Sequence, residues 1–126
     1  MSTPKQIDTD KAPGAVGPYS QALAAAGLIF TSGQLPLVPG GKAMPEDIKA
    51  QAEASLTNVK SILEAAGSNM GKVLKTTVYL TDIKDFPVVN EVYASFFAKP
   101  YPARSCFAVK DLPLGAKVEI EVVALS

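Results

Sequence analysis

The sequence contains no histidine and only one cysteine, Cys106. Any chemistry must therefore run without the usual acid–base residue. A lone cysteine excludes an internal disulfide and is compatible with a reducing cytosol. One cysteine and no histidine also leave no ligand set for a zinc-type metal. An excess of charge of one sign is missing as well: lysine plus arginine is 12 and aspartate plus glutamate is 12. A net charge of zero gives no electrostatic footprint for nucleic acid. No uninterrupted apolar run reaches membrane-spanning length, and the first residues, Met1 to Gln6, lack an apolar signal core. Neither the dinucleotide fingerprint nor a GxxxxGK[ST] phosphate loop is present. There is no internal repeat, low-complexity tract or linker. Together these absences predict a cytoplasmic protein with no membrane or nucleic-acid partner.

What remains is globular. Hydrophobic residues make up 48% of the 126 residues and charged residues 19%, which predicts one domain over 1–126. A chain of this length buries roughly two-thirds of its unfolded surface, enough for a real core.

The pattern predicts strands at Lys5–Thr9, Tyr19–Ala26, Leu28–Gln34, Val73–Thr81, Ala103–Val109 and Ala116–Leu125. Gly27 between the second and third suggests a tight hairpin. Lys11–Pro18 and Leu35–Lys42 are proline- and glycine-rich and read as loops. A helix is expected from Pro45 to Ala66, with Ile48, Ala52, Leu56, Val59, Leu63 and Ala66 as its apolar stripe. Pro45 suits its first turn, Glu46 and Asp47 suit the positive end of its dipole, and Gly67 is a left-handed stop. A second helix is expected over Phe86–Ala98, with Asp85 as N-cap and Phe86, Val89, Tyr93 and Phe96 or Phe97 buried. Both helices lie in crossovers, and right-handed crossovers put them on one face of a single mixed sheet. The other face is left uncovered. In the last strand Val118, Ile120, Val122 and Ala124 alternate with Glu119, Glu121, Val123 and Leu125. The second set is half apolar, which suits a face completed by other copies of the chain.

Arg104 is the most informative residue. It stands at the start of a strand behind Pro100 and Pro102, which fix their own φ and bias the residue before each towards extended backbone. A guanidinium held in this way grips a carboxylate with two parallel hydrogen bonds, or forms a structural salt bridge. Glu119 or Glu121, which share one side of a strand, could orient a water or shuttle a proton, or simply face Lys117 or Lys110 in solvent. Tyr19, after Gly17-Pro18, could present its hydroxyl to a ligand or pack half-buried. Gly33 permits close approach of backbone to a ligand or marks a bulge. Cys106 reads as a small buried hydrophobe beside Arg104, since nothing activates it as a nucleophile. Asn90 faces a ligand or solvent.

Five blocks, taken together and in this order, carry a resemblance. They are Gly17-Pro18-Tyr19-Ser20-Gln21-Ala22, Phe30-Thr31-Ser32-Gly33-Gln34, Ser55-Leu56-Thr57-Asn58-Val59-Lys60, Tyr101-Pro102-Ala103-Arg104-Ser105 and Val118-Glu119-Ile120-Glu121. The chain, from about Lys5 to Ser126, resembles the RidA (YjgF/Rid) family of imine deaminases. The resemblance implies a chorismate-mutase-like α+β fold assembled as a homotrimer, with active sites in clefts between subunits. It implies hydrolysis of reactive enamine and imine products of pyridoxal-phosphate enzymes, chiefly 2-iminobutanoate and 2-iminopropanoate, to 2-oxo acids and ammonia. It assigns the substrate carboxylate to Arg104 and the attacking water to Glu119, with no departure at either position. It places Tyr19, Gly33, Asn90 and Cys106 around the pocket. No metal or organic cofactor is then required, because a protonated imine is already a good electrophile and needs positioning more than a strong nucleophile. The rival readings are a carboxylate-binding or chaperone-like module without turnover, and a ribonuclease, which zero net charge and the missing histidine disfavour.

Overall fold

The computed structural model describes residues 3–126; Met1 and Ser2, at the head of the N-terminal stretch read above, lie outside the described residues. Eight elements follow in chain order: β1 (Lys5–Ile7), β2 (Ala22–Ala25), β3 (Leu28–Thr31), α1 (Ile48–Ala65), β4 (Val73–Leu80), α2 (Phe86–Phe96), β5 (Ala103–Ala108) and β6 (Val118–Leu125). They form one six-stranded mixed sheet in the order β1-β2-β3-β6-β4-β5. All neighbours are antiparallel except β4 and β5. Because β3 and β4 both run antiparallel to β6, α1 is a crossover between strands of the same direction, as α2 is between β4 and β5. Both helices therefore pack on one face, as their connections require.

The periodicities explain the core. In β6 the residues Val118, Ile120, Val122 and Ala124 are buried, and their alternates are not. They lie beneath Leu56, Val59, Ile62 and Leu63 of α1 and Val89, Val92 and Tyr93 of α2. The opposite sheet face carries exposed apolar side chains, among them Leu23, Phe30, Phe107 and Leu125, each 40–48% accessible. No helix among the described residues is long and apolar enough to cross a membrane.

The local signals account for most boundaries. Ala26 and Gly27 both have positive φ (53° and 78°) between the paired residues Ala25 and Leu28, the requirement of a two-residue type I′ hairpin. Gly67, at φ 80°, ends α1. There Ser68 N–H reaches back to Leu63 O at 2.8 Å and Gly67 N–H to Glu64 O at 3.0 Å, closing orphan carbonyls.

Four expectations need correction. The first helix does not begin at Pro45: Asp47 is its N-cap, accepting from Ala50 N–H through Oδ2 at 3.2 Å. Pro45 stays outside because its carbonyl is taken by Gln51 Nε2 at 2.8 Å. Asp85 does not cap α2 with its side chain. The capping carboxylate is Asp82, which accepts from Lys84 N–H and starts a 3₁₀ turn that runs straight into the helix. That helix stops at Phe96, because Phe97 is already extended (φ −126°, ψ 151°). The arm Tyr19–Ala26 shrinks to β2: beyond Ala22 one further bond, Ser32 N–H to Gln21 O at 2.9 Å, links it to the neighbouring chain segment, and the Gln21 side chain turns into the preceding loop.

Candidate active site

Two buried amide side chains set the walls of a cavity. Gln21, 2% accessible, donates from Nε2 to the carbonyls of Thr9 (3.0 Å) and Pro13 (2.8 Å) and accepts Thr9 N–H at Oε1 (2.8 Å). Asn58, also buried, donates from Nδ2 to Leu35 O (3.1 Å) and Leu37 O (2.9 Å). Loops have no ladder of their own, so a buried amide that satisfies their carbonyls is what holds them in place. The cavity between these loops has a volume of about 740 Å³. Tyr19, Gly33, Gln34, Leu114 and Glu119 line it.

Glu119 lies on the sheet face away from the helices, opposite Tyr79 of β4. It rests against Gly33 so closely that a Cβ on that residue would stand 2.7 Å from the Glu119 Cδ and 2.9 Å from its Oε2. This close approach is the reason for the glycine, whose φ is ordinary. Gly33 itself is neither in a left-handed turn nor in a ladder; the next residue, Gln34, bridges to Ile120. Burial pushes the Glu119 carboxyl above the usual carboxylate range, and the charge of Glu121 adds to it. Glu121 does not pair with lysine; it accepts the Tyr79 hydroxyl at 2.8 Å. Tyr19 is half exposed at the cavity rim, its hydroxyl 3.4 Å from Val16 N–H.

Arg104 belongs to a second cluster. The register pairs it with Thr76, whose side chain is buried under α2 and hydrogen-bonded to the Tyr93 hydroxyl at 2.8 Å. The guanidinium stands 4.7 Å from the Tyr93 ring centroid and 5.2 Å from that of Phe86. One Nη donates to Asn90 Oδ1 at 2.8 Å. Phe86, Asn90 and Tyr93 recur at i, i+4 and i+7 on α2, so one helix face supplies the whole cradle. Cation–π contacts of this kind are worth roughly 0.5–2 kcal/mol each and fix the plane of the fork. Among the described residues Arg104 thus meets an amide and two rings rather than an acid, leaving most of its N–H groups uncommitted. Cys106, two residues on, faces the same side. Burial raises its pKa while the Arg104 charge works against this, so it remains a thiol at neutral pH.

The six residues singled out from the sequence therefore fall into two groups of three. Tyr19, Gly33 and Glu119 surround the cavity. Asn90, Arg104 and Cys106 cluster where β5 meets α2. Strand parity separates the key pair: Arg104 aligns with Thr76 and Val122 on the helix side, whereas Glu119 aligns with Tyr79 and Phe107 on the other. Within one chain the two side chains therefore lie on opposite faces of the sheet. Sequence reading missed Tyr79 as the partner of Glu121: the β4–β6 register sets Tyr79 opposite Glu119, and its hydroxyl reaches Glu121 only on the diagonal. It also missed Leu114, which enters the cavity wall from a positive-φ position (60°) before Gly115. No group of three or more His, Cys, Asp or Glu among the described residues is placed to hold a metal.

Comparison with known proteins gives a consistent result. The family profile described as Endoribonuclease L-PSP matches residues 9–126. A RutC family protein, y4sK, of Sinorhizobium fredii is 54% identical over 118 residues, covering 93% of this chain and 94% of its own. A Salmonella typhimurium protein named 2-iminobutanoate/2-iminopropanoate deaminase is 47% identical over 124 residues, covering 96% of this chain and 97% of its own. The crystal structure of Escherichia coli TdcF with bound serine superposes with a TM-score of 0.92 at 45% identity, covering 97% of this chain and 98% of that one.

Proposed function

The chain belongs to the RidA (YjgF) family, and from that premise we propose that it hydrolyses 2-iminobutanoate, 2-iminopropanoate and related reactive enamines and imines to 2-oxo acids and ammonia. The observation that carries this reading is the held fork of Arg104, braced by Asn90, Tyr93 and Phe86 and met by no acid among the described residues. Two parallel N–H groups there suit the carboxylate that every 2-imino acid bears. A relative's structure with bound serine supports a ligand of that size and charge.

The reaction needs little from the protein beyond placement. The substrate carbon is bonded to a protonated nitrogen and accepts a water oxygen readily. Glu119 takes a proton from that water as the C–O bond forms, and the proton passes to the nitrogen. The carbinolamine then collapses: Glu119 takes the hydroxyl proton as the C–N bond breaks, the carbonyl of the 2-oxo acid remains, and the departing ammonia carries that proton away as ammonium. A carboxyl raised above its ordinary value holds and returns a proton more evenly than an ordinary one. Holding both partners in one cleft makes the attack effectively unimolecular. Tyr19, Gly33 and Cys106 shape the cleft around the substrate.

The same reading makes the working form a homotrimer, with each cleft taking Arg104 from one subunit and Glu119 from its neighbour. Its support is the strand parity that separates the two residues and the exposed apolar face carrying Leu23, Phe30, Phe107 and Leu125. A cytoplasmic location, where such imines arise, belongs to this reading too.

The test is release of 2-oxobutanoate from imine generated in situ by a threonine dehydratase, followed against the spontaneous rate. Release well above that rate, proportional to added protein, is expected. Binding of 2-oxobutanoate with no acceleration would instead favour a carboxylate-binding module.

A further inference from the structure

We propose that Tyr79 and Glu121 form a positioning pair that sets the working pH range of Glu119. The proposal rests on the reading of Glu119 as the group that takes the proton from water.

The geometry is specific. Glu119 and Glu121 stand two apart on β6, so both project from the sheet face away from the helices. Tyr79 is the direct cross-strand partner of Glu119, yet its hydroxyl reaches diagonally to Glu121 Oε1 at 2.8 Å. Such diagonal contacts are within reach of a long aromatic side chain. The Tyr79 ring is itself fixed by Phe107, edge-on at 5.3 Å and 89°. The tyrosine therefore gives its hydrogen bond to Glu121 rather than to Glu119 and pins that second carboxylate beside it. Tyr79 stays protonated throughout the working range, its pKa pushed up to about 12, first by the hydrogen bond to Glu121 and then by burial. It acts as a fixed donor and takes no part in titration.

The consequence is a repulsive charge held next to the base. A nearby like charge disfavours a second ionisation, and burial against Gly33 acts in the same direction. From β4 the group that faces Glu119 is Tyr79, and from β5 it is the uncharged Phe107. From its own strand it is Glu121. From the loops it is Tyr19 and Lys42, which line the same cavity, and in the shared cleft proposed above it is also the neighbouring copy's Arg104, whose charge favours the ionised form and is common to all the variants compared below. Lys117 precedes it by two residues at the start of the same alternation. The Tyr79–Glu121 unit is the one among these that joins a carboxylate to a hydrogen bond fixing its place. The imine reaction needs a base that gives its proton back, and a neighbouring anion provides that property without histidine.

The test is the acid limb of the pH profile of kcat/KM for 2-oxobutanoate release, in the intact oligomer. Glu121→Gln removes the charge, so the limb should move to lower pH than in the wild type. Tyr79→Phe frees Glu121 to swing away, so a smaller movement in the same direction is expected. The double variant should match Glu121→Gln alone, since Tyr79 acts only through Glu121. Should Glu121→Gln turn over too slowly to profile, the ¹³C carboxyl shift of Glu119 titrated by NMR reads the same movement. An acid limb or carboxyl titration unmoved in Glu121→Gln overturns the proposal. Glu119→Gln separates this from the parent reading: if that variant keeps full turnover, Glu119 is not the base at all, whereas lost turnover with an unmoved Glu121→Gln limb sinks only the positioning role.

Discussion

Arg104→Ala is expected to lower kcat/KM by roughly 10²–10⁴. The estimate follows from two charge-assisted hydrogen bonds at about 1.5–3 kcal/mol each, converted at ~1.4 kcal/mol per factor of ten. The carboxylate does not react, so its grip is made in ground and transition states alike. Most of the loss should therefore appear in KM, with kcat falling to the extent that the imine carbon loses its alignment. Arg104→Lys should recover only part, because an ammonium offers no parallel fork and does not reproduce the guanidinium's contacts with the Tyr93 and Phe86 rings. The measurement is 2-oxobutanoate release over the spontaneous rate, with the oligomeric state checked in parallel. Turnover within a few-fold of wild type in an intact oligomer would remove Arg104 from the mechanism.

Gly33→Ala is expected to lower kcat by about 10²-fold while leaving the fold intact. The backbone there has an ordinary φ, so alanine brings no conformational strain. What it brings is a methyl group 2.7 Å from Glu119 Cδ and 3.1 Å from its Cγ. Real carbon atoms do not sit that close, and the carboxylate is the part able to yield. A displacement of about an ångström in a group that must meet a water and a proton at hydrogen-bond distance carries a penalty of this order. The pattern should differ from that of the arginine variant, with kcat rather than KM taking the loss. A Gly33→Ala protein with unchanged kcat would mean that Glu119 works from another position.

How much of this was legible in the sequence varies with the kind of signal. The stripe of α1 and the alternation of β6 were plain, because burial imposes a period and the residues obey it. The Gly27 hairpin was plain for a different reason: a two-residue turn between strands needs positive φ, which glycine adopts freely. Boundaries fixed by side-chain hydrogen bonds were not. Asp47 rather than Pro45 opens α1, and Asp82 rather than Asp85 carries the cap, because individual side-chain hydrogen bonds such as Gln51 to Pro45, which no periodicity encodes, decide which backbone groups are free. Gln21 and Asn58 looked like ordinary polar residues, although they staple the cavity loops. Their role depends on burial, which composition does not reveal.

At the site, the resemblance supplied the residues and the structure supplied their grouping. That Arg104 and Cys106 share a side followed from their spacing of two. Asn90 as the brace of Arg104, at 2.8 Å, needed α2 to be docked against β5. The separation of Arg104 from Glu119 needed only the strand register, yet register is a long-range property that no local pattern states.

That separation is most directly tested by mixing two impaired variants. Arg104→Ala and Glu119→Gln subunits, dissociated together and reassembled at equal amounts, form some clefts in which the intact arginine and the intact glutamate come from different chains. Random reassembly should restore about a quarter of wild-type activity, because each cleft draws one residue from each of two neighbours. Each variant reassembled alone and assayed at substrate well below KM should stay at its own low rate. If the mixture is no more active than its parts although exchange is confirmed, both groups serve from one chain, and the account of a cleft shared between copies is contradicted.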